Sequence, residues 1–90
     1  MYIRDILWDP KSIAPIAAHG VEQDEVEDIA YGRHHSRKHR GENRYVLLGQ
    51  TAEGRYLLIV VERKENSLFY VVSARDMKQD ERRQYRSHQK

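Results

Sequence analysis

The chain of 90 residues contains no cysteine. Disulfides and thiolate-held metal centres are therefore excluded, and with nothing pointing to an oxidising compartment the expected location is the cytoplasm. Proline occurs only at positions 10 and 15, and phenylalanine and tryptophan occur once each. Aromatic residues do not interleave with the basic cluster at 33–44, so a base-stacking platform of the single-strand-binding kind is not expected. Long apolar runs are missing too. The longest, "YLLIVV", is far short of the roughly 20 residues that span a bilayer, and "MYIRDILWDPK" lacks the apolar core of a leader peptide, so a soluble protein with no membrane partner is expected.

Charge is abundant and unevenly placed. Sixteen Lys and Arg against fourteen Asp and Glu leave a net charge of only +2. Yet Glu22, Asp24, Glu25, Glu27 and Asp28 form an acidic block, while basic residues crowd 33–44 and 75–90. Such polarity suits two partners of opposite charge, or two solvated faces. Apolar residues, 39% of the total, are gathered in compact runs, which favours one small folded domain over 1–90, with a core of 2–86 and fraying at 87–90.

"YIRDILW" reads as a short first strand stopped by the turn dipeptide Asp9-Pro10. Ser12 to His19 has room for one or two helical turns closed by Gly20, with Pro15 awkward inside them. Val26, Ile29 and Ala30 recur at helical spacing behind an acidic first turn and before Gly32. From Tyr45 the period becomes that of strands: "RYVLLGQ", "GRYLLIVVER" and "SLFYVVSAR" are joined by hairpin-length loops, which predicts an antiparallel meander. Both faces of these runs are apolar, so helix is expected on one side and some other cover on the second. "DMKQDERRQYRSHQK" predicts a last helix, with Asp76 as its cap and Gln79 reaching back. The class is α+β.

"HHSRKH" invites a metal. On a strand, however, His35 and His39 share a face with Arg37 between them and His34 points away, so no metal site and no cofactor are expected. The basic side chains carry more. Arg55 follows Gly54, which suits the positive-φ position of a hairpin loop, and Arg75 closes the last strand. A register that pairs odd positions with odd ones places Arg55 and Arg75 on one face at the same end of the sheet; the alternate register separates them. Two converging guanidiniums call for an anion such as a phosphate between them, or for a neighbouring carboxylate each, Asp76 or Glu53. Glu42 and Arg44 open the first strand of the meander on the face opposite Arg55. His19 and Tyr85 are candidates for proton transfer, and each has a plain structural use, as a helix-end residue and as a packing ring.

Taken in order, "WDPK", "HGV", "GENRYVLLGQTAEGRYLLIVV", "SAR" and "ERRQY" resemble the BrnT family, toxins of bacterial type II toxin–antitoxin modules, over about residues 6–86. The resemblance implies a RelE-like fold and a ribonuclease that arrests growth by cutting RNA. It implies as partner a BrnA-like ribbon–helix–helix antitoxin, which neutralises the toxin and carries it to operator DNA only indirectly, in a heterotetramer or beside a toxin homodimer. The motif residues matched are Gly41, Glu42 and Arg44; Gly54 and Arg55; Ser73, Ala74 and Arg75; Glu81 and Tyr85; and His19, Gly20 and Val21. Arg55, Arg75, Glu42, Arg44, His19 and Tyr85 are thereby the catalytic candidates of a metal-independent endoribonuclease, and Arg37, Lys38, Arg40, Arg82 and Arg83 the candidates for gripping RNA. Pro15, Ala18 and Lys78 stand where the family usually has Asn, Lys and Thr. The alternative function is thus a RelE-like interaction or RNA-binding module weakened in catalysis.

Overall fold

The computed structural model describes residues 1–88; positions 89 and 90, half of the stretch expected to fray, lie outside the described residues. Strand β1 (Asp5–Leu7) leads to helices α1 (Pro10–Ala18) and α2 (Gln23–Tyr31). Strands β2 (His34–Lys38), β3 (Arg44–Gln50), β4 (Tyr56–Glu65) and β5 (Leu68–Asp76) then form the meander, and α3 (Gln79–Ser87) ends it. The sheet order is β1-β5-β4-β3-β2, with β1 parallel to β5 and every other pair antiparallel. This is the α+β arrangement expected from the sequence, with one strand more. β2 is the polar stretch "HHSRK", which has no apolar alternation and is a strand because β3 pairs with it along its whole length.

Helix α1 starts earlier than its apolar residues suggest. Asp9 accepts the Ser12 N–H at 3.0 Å, and Pro10 takes the first helical position, where its missing N–H is no loss. Asp9-Pro10 is therefore a helix start as well as a strand stop. Pro15 lies inside α1 and deprives the preceding turn of one hydrogen bond. The far end closes as expected at Gly20, whose φ of +67° lets the Gly20 N–H reach Ala17 O at 2.9 Å and the Val21 N–H reach Ile16 O at 3.0 Å.

One face of the sheet carries the main core. Ile16, Val21, Val26, Ile29 and Ala30 pack there on Leu47, Leu57, Ile59, Phe69 and Ala74, all buried. Helix α2 comes so close to β3 that Gly49 has no room for a side chain: a Cβ there would lie 2.5 Å from Ile29 Cγ2. The other face holds a smaller cluster of Val46, Leu48 and Leu58, covered by Met77 and by Tyr85 of α3. The second cover is thus the chain's own last helix. Its cap differs from expectation: Lys78 is the capping residue, its N–H donates to Glu81 Oε1 at 2.8 Å, and Asp76 is occupied elsewhere.

Candidate functional site

Arg55 leaves the β3–β4 loop just after Gly54, whose φ is +97°, and its own N–H is held by Thr51 Oγ1 at 3.0 Å. From there the guanidinium lies on the α1/α2 side of the sheet and is fully engaged. Nε and Nη2 donate to Asp76 at 2.8 and 3.1 Å, and Nη1 donates to Gly20 O at 2.8 Å and Glu25 Oε1 at 3.0 Å. Nη2 also reaches the His19 carbonyl at 3.4 Å. These partners raise the Arg55 pKa, Asp76 most of all, and Arg55 in turn holds the Asp76 carboxyl below its ordinary range. The result is a clamp that ties the α1–α2 corner to the end of β5.

Arg75 lies on the opposite face. It makes a forked pair with Glu81 of α3, Nη1 to Oε1 at 2.8 Å and Nη2 to Oε2 at 2.9 Å. Glu81, with its side chain 14% exposed, also takes the Lys78 N–H, and hydrogen bonding from Arg75 lowers its pKa to about 2. The expectation that Arg55 and Arg75 converge is therefore corrected. The converging register holds only in the middle of the β4–β5 ladder, with Val61 opposite Val71 and Glu62 opposite Tyr70; it is entered by a shift between Arg63 and Glu65 and left by another after Val61, beyond which Val60 faces Ser73 and Leu58 faces Arg75. Val72 is the extra residue of a β-bulge, and it turns every later β5 side chain to the other face.

Arg44 is on the α3 face, as its parity predicts, and pairs with Glu62 at 3.0 Å. It shares that face with Arg75 but stands four β4 positions away, opposite Glu62 where Arg75 is opposite Leu58, or about 13 Å along the strand. Glu42 is exposed in the loop between Gly41 and Asn43, both at positive φ. His19 is exposed at the end of α1, beside Asp76. Tyr85 is only 3% exposed and packs edge-on against Tyr56, ring centroids 6.1 Å apart. The catalytic candidates thus fall into three places: Arg55 with His19, Arg75 with Tyr85, and Arg44 near Glu42.

The basic residues gather better. Arg37 on β2 donates to Gln84 of α3 at 3.1 Å, and His35 beside it stacks on His88 at 4.0 Å, so β2 and α3 form one surface. Lys38 reaches Gly41 O and lies over the Tyr45 ring, and Arg40 is exposed. His34 points to the other side, its Nδ1 on Ile29 O. On α3, Arg82, Arg83 and Arg86 border a concavity of about 510 Å³ with Met77 and Gln79. Among the described residues none of the three pairs with a carboxylate. Arg82 and Arg86 stand over the ring of Tyr56, their Cζ atoms 4.4 and 5.4 Å from its centroid.

Tyr56 and Arg86 were not among the candidates. A signal was present: Arg82 and Arg86 are one helical turn apart and so share a face, and the short link after β5 folds that face back over the sheet. Arg86, by hydrogen bonding, and Arg82, by its charge, hold the Tyr56 phenol below its ordinary pKa of 10. The opposite side of the molecule is acidic, with Asp24, Glu27 and Asp28 around Tyr31.

Among the described residues no helix is long and apolar enough to cross a membrane. A family model described as ribonuclease toxin, BrnT, of type II toxin–antitoxin system matches residues 8–81, which run from just after β1 to the first turn of α3. Comparison with individually curated proteins finds no match.

Proposed function

The chain belongs to the BrnT family of ribonuclease toxins of type II toxin–antitoxin systems, and from that membership we propose that it cuts RNA in the bacterial cytoplasm without a metal ion, stopping translation and growth until an antitoxin of the BrnA-like, ribbon–helix–helix kind covers it. The observation that carries this reading is the surface built from β2 and α3, where Arg37, Arg82, Arg83 and Arg86 face outward with no carboxylate partner among the described residues. Unneutralised guanidiniums on one surface are the footprint of a phosphate backbone, which they grip without reading sequence. Arg40 and Lys38 extend it towards flanking phosphates.

Cleavage without metal uses the 2′-OH of the RNA as nucleophile, so the protein must take its proton, stabilise the crowded phosphorane and let the 5′ oxygen leave. Arg75, fixed in its fork with Glu81, lies under α3 and holds the helix that carries the phosphate-facing arginines. Arg55 stands on the far side as a clamp, so its proposed part is structural. DNA is reached only through the antitoxin, and the chain acts as one unit over residues 2–86.

Purified protein stripped of antitoxin, incubated with RNA in a chelating buffer, should yield fragments ending in 2′,3′-cyclic phosphate, and its induction alone should halt colony growth. Intact RNA with unimpaired growth would refute the proposal. The engagement of both Arg55 and Arg75 by carboxylates favours a second reading, a binding module without cleavage. That module would retain RNA in a salt-dependent way and produce no fragments.

A further inference from the structure

Tyr56 is placed where a reacting group would have to be. It opens β4 on the α3 face, half-buried, with uncharged Gln50 opposite it on β3 and Met77, which follows β5, bonded to its carbonyl at 3.1 Å. The charged groups that face its ring are Arg82 and Arg86 of α3. Both also border the concavity shared with Arg83 and Gln79. Three guanidiniums within two helical turns repel one another unless an anion sits among them, and a forked guanidinium matches phosphate oxygens in plane and spacing.

We propose that Tyr56 accepts the 2′-OH proton during RNA cleavage while Arg82 and Arg86 seat the scissile phosphodiester. This rests on the ribonuclease reading above and assigns its proton-transfer group. The Tyr56 phenolate oxygen takes the proton from the 2′-OH, the O2′–P bond forms and the P–O5′ bond breaks. The departing 5′ oxygen takes a proton from bulk water and the phenol returns its own to the solvent, so no water is consumed and the products are a cyclic phosphate and a 5′-OH. The hydrogen bond from Arg86 favours the phenolate this step requires. Tyr85, the sequence candidate for proton transfer, is 3% exposed beneath the same helix and serves as the ring against which Tyr56 is set.

The test is single-turnover cleavage of a single-stranded oligoribonucleotide across about pH 6 to 9 by wild type, Tyr56→Phe and Arg86→Gln. Wild type should lose rate towards acid as the phenolate is protonated. Tyr56→Phe keeps the ring under the arginines, so RNA retention should be unchanged while the rate falls about 10²- to 10⁴-fold and the acid limb disappears. Arg86→Gln, an exposed surface change, should move the acid limb to higher pH. Tyr56→Phe cleaving within a few-fold of wild type, or an acid limb unmoved in Arg86→Gln, would overturn the assignment and leave the ribonuclease reading standing. A wild type that leaves RNA intact would overturn both.

Discussion

Glu81→Gln separates the contribution of the Arg75–Glu81 charge pair from that of the helix cap. The amide oxygen introduced by the substitution can still accept the Lys78 N–H, so the half-cap survives and the charge-assisted fork to Arg75 is what changes. Glu81 is held at about 2 against an ordinary 4.5. Because its folded pKa is depressed, the stability it contributes is fully present above the unfolded value, declines as pH falls from 4.5 and is gone below about 2. Unscreened, a shift of that size corresponds to a ceiling of about 3 kcal/mol. Arg75 is one-third exposed and screens part of it, leaving about 1–2 kcal/mol.

For a chain of this length that is a fall in melting temperature of roughly 4–16 °C at neutral pH. The assay is circular dichroism melting of both proteins from about pH 7 down to 3. Asp76, also depressed, is common to both and cancels in the comparison. The gap should be widest at neutral pH and narrow steadily below 4.5. A gap that stays constant across that range would show that Glu81 acts through packing or capping alone, and the fork would lose its energetic role.

Lys78 cannot accept a hydrogen bond and brings positive charge to the positive end of α3, so Lys78→Thr should stabilise by about 1 kcal/mol, read as a higher urea midpoint. Arg55→Ala should cost about 2 kcal/mol by the same measurement, mostly through Glu25 and the Gly20 carbonyl, since Asp76 is well exposed; Arg55→Lys should recover only part, lacking the fork. Gly49→Ala should cost about 1–3 kcal/mol by overpacking Ile29, and it should cost less in an Ile29→Ala background, where both clashing γ carbons are gone; equal costs in both backgrounds would refute the contact.

The parts of the fold that the sequence made legible are those where local chemistry and tertiary need agree. Gly20, Gly32 and Gly54 fall at a helix end, a helix exit and a loop position at positive φ, and Val26, Ile29 and Ala30 face the sheet as their spacing requires. Where the two diverge, reading fails. "HHSRK" has no strand pattern and is a strand because β3 needs a neighbour. Asp9-Pro10 fits a turn and a helix start equally well, and only the Ser12 N–H decides. Lys78 is a poor cap that the following Glu81 makes tolerable, so a better-looking Asp76 draws attention from it.

The site was hidden by one residue. If the mid-ladder pairing of Val61 with Val71 and Glu62 with Tyr70 carried through to the strand's end, it would set Arg75 beside Arg55 on the α1/α2 face. Asp76 would turn to the α3 face at the same time, so two guanidiniums would be left with Glu25 alone, and α3 would lose the residue that anchors its first turn. Val72 prevents this. By taking up one position without a partner it turns Asp76 towards Arg55 and sends Arg75 to Glu81, which draws α3 down over Leu48 and Leu58. With α3 fixed there, Arg82 and Arg86 come to rest over Tyr56. A strand's alternation is visible in sequence, but a bulge within "YVVSAR" is not, because each of its apolar residues suits either face of a sheet that is covered on both sides.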